Sequence, residues 1–177
     1  ALDHLGIAQY LSRIGIVVAG GDTVALDEGK QAWVEDETWQ PLRKLCEDLL
    51  VTKDWFELYV AQNLVLDGLL YPLAYDRFDT AISQHGGSAL AMLTEFALEW
   101  FGESTRWVDA TLKTAAAESD ENKALIEGWA NAWGDRVAEA LGPLARAEFG
   151  EAGDATLAEI RSELAARSLK KSKINLA

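Results

Sequence analysis

Cysteine, methionine, proline and histidine are nearly absent from this 177-residue chain, which holds one Cys, one Met, three Pro and two His. The lone Cys46 cannot close an internal disulfide, which fits a reducing cytoplasm. Its acidic neighbours in WQPLRKLCEDLL disfavour a thiolate, and a small buried residue is the simpler reading. No apolar run approaches the ~20 residues that span a bilayer. The opening ALDHLGIAQYLSRIGIVVAGG lacks the basic segment of a secretion signal. Basic residues are also scarce, 16 against 29 acidic, for a formal net charge of −13. Nucleic acid and anionic membranes are held by Lys and Arg patches, so neither is expected as a partner. The charge itself reads as a solubility feature. The one basic cluster, Lys170-Lys171-Ser172-Lys173, suits a helix C-terminus, with docking to an acidic partner surface as the sharper alternative. No glycine-rich phosphate loop follows a strand, so nucleotide binding has no support.

What remains is apolar and helical: 49% of residues are hydrophobic and seven are Trp. Leu5, Ala8, Leu11, Ile14 and Val18 recur at helical spacing and stop at Gly20-Gly21. A second helix is expected over Thr23 to Glu35. Thr38 is placed to cap a third, with Pro41 in its first turn, where a missing N–H does no harm. Pro72 lies deep in a later helix and should bend it, with Gly68 leaving space beside the proline ring. Ser119 caps a helix expected to run to Leu141 and to break at Gly142-Pro143. Asp154 or Thr156 begins the last helix, whose apolar stripe is Leu157, Ile160 and Leu164. The chain reads as a single all-α domain over residues 1–177, large enough for one sizeable core.

The centre of that domain is a pair of segments, each about 30 residues or roughly 45 Å long, hinged at Gly86-Gly87. So short a break folds long helices back into an antiparallel hairpin. Val60, Leu64, Asp67 and Tyr71 share one face of the first, and Phe96, Trp100, Glu103 and Trp107 one face of the second. Asp67 and Glu103 thus point toward an apolar interface, where an unpaired charge is costly. Arg106 stands three residues after Glu103, within reach of both acids. A di-iron carboxylate bundle takes a Glu from each of two helices and a Glu-x-x-His from each of two others. Here Arg106 occupies the His position, and a guanidinium has no lone pair to offer a metal. Neither His4 nor His85 completes a Glu-x-x-His, and His85 reads as a polar residue in a helix-ending turn. The expectation is a metal-less copy of a metal bundle. No catalytic or metal-ligating residue is assigned, and Asp67, Glu103 and Arg106 form a buried ion-pair group at vestigial ligand-like positions.

The stretches WQPLRKLCEDLLVTKDWFE, LYVAQNLVLDGLLYPLAYDRFD and LTEFALEWFGESTRWVDATLKTAAAESDENKALIEGW resemble the β subunit of the hydroxylase component of bacterial multicomponent (soluble di-iron) monooxygenases, phenol hydroxylase type. The resemblance covers most of the chain. It implies a ferritin-like, ribonucleotide-reductase-like helical bundle without a cofactor of its own, and a di-iron centre in a partner catalytic α subunit. It further implies a small γ subunit, a symmetry-related copy of the assembly and a cytoplasmic setting. The assembly would hydroxylate phenol or a related aromatic with oxygen and NADH-derived electrons. The family's β subunits are longer, so this chain is expected to be the C-terminal part of one.

Two other functions stay open from the residues alone: a carboxylate-only ferritin-like metal-binding protein, and a free-standing helical adaptor. The absence of Glu-x-x-His counts against the first. Large aromatics serve cores and interfaces alike. Trp33, Trp39, Trp129 and Trp133 are the interface candidates, with Trp55 among the same set, whereas Trp100 and Trp107 are assigned to the hairpin's inner stripe.

Overall fold

The computed structural model describes residues 2–84 and 87–176, and is helical throughout with no strand among them. Helices α1 (Leu2–Val18), α2 (Val24–Glu35) and α3 (Gln40–Leu50) lead into a continuous helical run, α4, over 55–84. Then follow α5 (Ser88–Glu118), α6 (Asp120–Phe149), a 3₁₀ turn over Gly150–Ala152 and α7 (Gly153–Lys171). The long hairpin is α4 with α5. Of its expected hinge, His85 and Gly86 lie outside the described residues, and Gly87 caps α5, its N–H bonded to Ile82 O at 2.9 Å.

Local chemistry sets most of the ends. α1 stops at Gly20 and Gly21, whose φ of 72° and 94° suit glycine and strain other residues. Asp54 Oδ1 accepts from the N–H groups of Phe56 and Glu57, starting α4. Ser119 Oγ accepts from Asn122 N–H at 3.0 Å, starting α6. The Thr38 cap is corrected by one residue: Trp39 holds the N-cap without a side-chain bond, and Asp36 Oδ1 accepts from the Thr38 N–H.

α4 is the buried axis of the bundle. Val60, Ala61, Leu64, Val65, Leu66 and Leu69 are all 5% exposed or less, so buried apolar residues occupy most of this helix's circumference, as in an enclosed helix. Two stretches of it widen to π geometry, Val60–Leu66 and Leu73–Arg77. The second begins directly after Pro72, where the missing N–H breaks the regular ladder. Gly68 serves an interhelical approach more than the proline ring: a Cβ there would lie 2.9 Å from Leu164 Cδ1 on α7.

α6 packs against α3, α4, α5 and α7. It runs through Gly142-Pro143, so the break expected there does not occur. Leu141, Gly142 and Ala145 are buried, and Gly153 at the start of α7 lies against the Ala145 backbone. Packing on that scale offsets the ~3 kcal/mol that an interior proline costs. Leu157, Ile160 and Leu164 supply α7's buried stripe, as their spacing predicts. Ion pairs tie the layers together at the rim: Arg136 to Asp48 at 2.6 Å, Arg161 to Asp135 at 2.6 Å and Arg77 to Glu163 at 2.7 Å.

Candidate functional site

Asp67 sits at the middle of α4 and is 3% exposed. Its neighbour is His4 from α1, with Nε2 3.8 Å from Asp67 Oδ1, longer than a direct hydrogen bond and within ion-pair range. The His4 ring stands edge-on to Trp100 of α5, centroids 4.9 Å apart. Trp100 packs on Tyr71, one turn beyond Asp67, and Tyr71 stacks on Phe101 at 5.4 Å. The carboxylate is buried beside this chain of aromatic contacts, and its Oδ2 has no hydrogen-bond partner among the described residues. Asp67 acts on His4 as a polar contact and as a charge, holding the imidazole above its ordinary pKa against the opposing effect of burial. Burial, then the charge of Asp67, pushes the Tyr71 phenol well above its ordinary value.

Glu103 and Arg106 are elsewhere. Their side chains are 78% and 76% exposed, and they meet only at 3.7 Å on the outer surface of α5. The expected buried group of Asp67, Glu103 and Arg106 is therefore corrected. The inner stripe of α5 runs through Thr94, Ala97, Val108, Leu112 and Ala116, about one position away from the stripe drawn through its aromatics. Small residues face inward there and let α5 approach α4, which turns Trp107 out to 59% exposure. Trp107 is corrected with them; Trp100 is half-buried over Tyr71.

The charge pair that is set into the bundle was not anticipated. Arg167 of α7 lies 3.6 Å from Asp109 of α5, with its guanidinium 5.9 Å over the Phe101 ring. Burial raises the Asp109 carboxyl, opposed by the Arg167 charge, and burial lowers Arg167. Fifty-odd residues separate the two, so no helical spacing announces them, and Arg167 resembles a member of the basic tail. Asp79 and Thr94 make a second buried polar contact, Thr94 Oγ1 donating to the Asp79 carboxylate.

Among the aromatics, Trp133 is removed from the interface candidates. It is 3% exposed, donates to Glu57 and carries Arg136 over its ring at 3.9 Å. Trp33 and Trp39 are half-buried and meet edge-on at 6.3 Å. Trp129 is half-buried along a groove of about 370 Å³ with Trp55, Phe56 and Leu125. Trp55, 75% exposed, is the most open tryptophan among the described residues. Cys46 is half-buried, and burial followed by the Glu47 charge raises its thiol, as suits an inert residue.

A di-iron centre does not fit these residues. Asp67 is a single carboxylate facing an imidazole, Glu103 points to solvent, and no three His, Cys, Asp or Glu side chains converge among the described residues. Also among them, no helix is long and apolar enough to cross a membrane.

Fold and interior together define a ferritin-like helical bundle whose central space is filled by aliphatic and aromatic side chains. The chain belongs to the methane/phenol/alkene hydroxylase family, whose model matches residues 1–119. It is 53% identical over 170 residues to the phenol 2-monooxygenase oxygenase component DmpL of Pseudomonas sp. (strain CF600), across 96% of this chain and 50% of that protein. It is 32% identical to the hydroxylase component subunit beta of the toluene-4-monooxygenase system of Ectopseudomonas mendocina, across 63% of this chain and 35% of that one. The fold matches the crystal structure of xenon-pressurised phenol hydroxylase from Pseudomonas sp. OX1 with a TM-score of 0.89 at 47% identity, over 99% of this chain and 52% of that one. The chain thus spans about half the length of DmpL and of the matched phenol hydroxylase chain.

Proposed function

We propose that this chain is a structural part of the β subunit of a phenol-type hydroxylase, scaffolding a catalytic α subunit that holds the di-iron centre. The observation that carries this reading is the filled inner face of the hairpin. Val60, Leu64, Leu69, Val108 and Leu112 are completely buried and fill with aliphatic side chains an interior that a di-iron bundle lines with inward-projecting carboxylates. Burying helical surface against other chains then becomes the task, and the exposed Trp55 and Trp107 are suitable anchors for it. Phenol or a related aromatic as substrate of the assembly, NADH as electron source, a small γ subunit, a symmetry mate and a cytoplasmic location belong to the same proposal. The relatives' names and the family membership support its phenol-type, multicomponent part. Metal analysis of the purified chain tests it against a carboxylate-only metal protein. The scaffold reading expects no stoichiometric iron or manganese, and one or two equivalents retained through gel filtration would overturn it.

A further inference from the structure

Helix α1 is held to the bundle by few side chains. Ile14 is its buried residue, while Leu2, Leu5, Val17 and Val18 face outward. It meets the hairpin through Tyr10, edge-on to Phe96 at 4.7 Å, and through His4, which touches both Trp100 and Asp67. Asp67 needs that contact more than α1 does. A carboxylate removed from water is costly unless a counter-charge accompanies it, and His4 is the basic side chain within 4 Å among the described residues.

We propose that His4 and Asp67 form a protonation latch, in which the imidazolium docks α1 onto the α4–α5 hairpin and the neutral imidazole releases it, uncovering Phe96 and Trp100. The groups acting on His4 are few. Among the described residues, Asp67 faces it from α4 and the uncharged Trp100 ring from α5, with Asp3 beside it on α1. Asp67 raises the docked imidazole above its ordinary pKa near 6.5. The sign follows: docking is fully favoured below the undocked pKa and is lost as pH rises through the docked one. The device itself is the buried carboxylate and the one base that faces it among the described residues.

Amide hydrogen exchange of the 177-residue chain between pH 5.5 and 8.5, corrected for intrinsic rates, tests the latch. Protection of α1 peptides should fall several-fold with rising pH while α6 peptides stay constant. His4→Gln should show the low, pH-independent protection of α1 at every pH, and Asp67→Asn should also abolish the pH dependence. His4 is partly exposed in the first turn, so H4Q is decisive even if D67N fails to fold. Flat α1 protection in the parent chain, or an unchanged pH dependence in H4Q, would overturn the proposal.

Discussion

Trp133 Nε1 donates to Glu57 Oε1 at 2.9 Å, joining the middle of α6 to the first turn of α4. The indole is buried, so its removal leaves a cavity as well as a stranded acceptor. Trp133→Ala should cost about 3–5 kcal/mol, and Trp133→Phe about 1–3 kcal/mol through the lost bond and partial void. Trp107→Ala is the contrast: its ring rests edge-on against Tyr59 but faces solvent, and the loss should stay within about 1 kcal/mol. Urea melts of the three variants check the order. Equal losses at Trp133 and Trp107 would contradict the outward turn of α5.

Arg106→Ala should change stability by no more than about 0.5 kcal/mol, since an exposed pair with Glu103 contributes little. A buried ion pair would behave in the opposite way, losing roughly 3–5 kcal/mol when one partner is removed. Arg106→His should likewise gain no iron, because the new imidazole points away from Asp67. Denaturant melts and metal content of the two variants decide both statements.

The glycines separate two kinds of close approach. A Cβ at Gly153 would lie 2.5 Å from the Ala145 backbone, whereas one at Gly68 meets the movable end of Leu164. Gly153→Ala should therefore be the more damaging, at about 1–3 kcal/mol or more. Gly128 lies in α6 with nothing within 4 Å of its would-be Cβ. Gly128→Ala should raise stability by about 0.5–1 kcal/mol through the unfolded chain's lost freedom. Thermal melts of the three give the ranking.

Asp79 supplies a pH dependence. Burial raises its carboxyl pKa, the Thr94 hydroxyl opposes that and Asp76 adds to it. The folded state therefore binds its proton more tightly than the unfolded chain, and this contribution is lost as pH rises through the folded pKa. Asp79→Asn should stabilise the chain at neutral pH, keep the Thr94 hydrogen bond, and show a shrinking advantage as pH falls toward the ordinary carboxylate range. A constant difference from neutral to acid pH would count against a raised carboxyl.

Local signals were legible in the sequence where one residue settles the backbone. Gly20-Gly21 stopped α1, Ser119 capped α6, and Leu157, Ile160 and Leu164 marked the buried face of α7. What failed depends on other helices. Gly142-Pro143 stays helical because Leu141 and Ala145 are buried around it, a tertiary gain that no local propensity contains. Helical spacing alone groups Phe96, Trp100, Glu103 and Trp107 on one face of α5 but does not say which face turns inward. Ala97 and Val108 lie inward instead, where closely packed helices need small side chains. Asp67 was correctly placed in the interior, but its partner is His4 from the far end of the chain. Arg167 and Asp109 were equally invisible, since only the packing of α7 on α5 brings them together.

The scaffold role is tested most directly by co-expressing this chain with a tagged catalytic subunit of a phenol hydroxylase and measuring the molar ratio retained after washing. The account predicts stoichiometric retention that drops for Trp55→Ala without a change in melting temperature, because truncating an anchoring aromatic costs about 2–4 kcal/mol of binding. A chain that folds, stays in solution and is not retained by the catalytic subunit would contradict it.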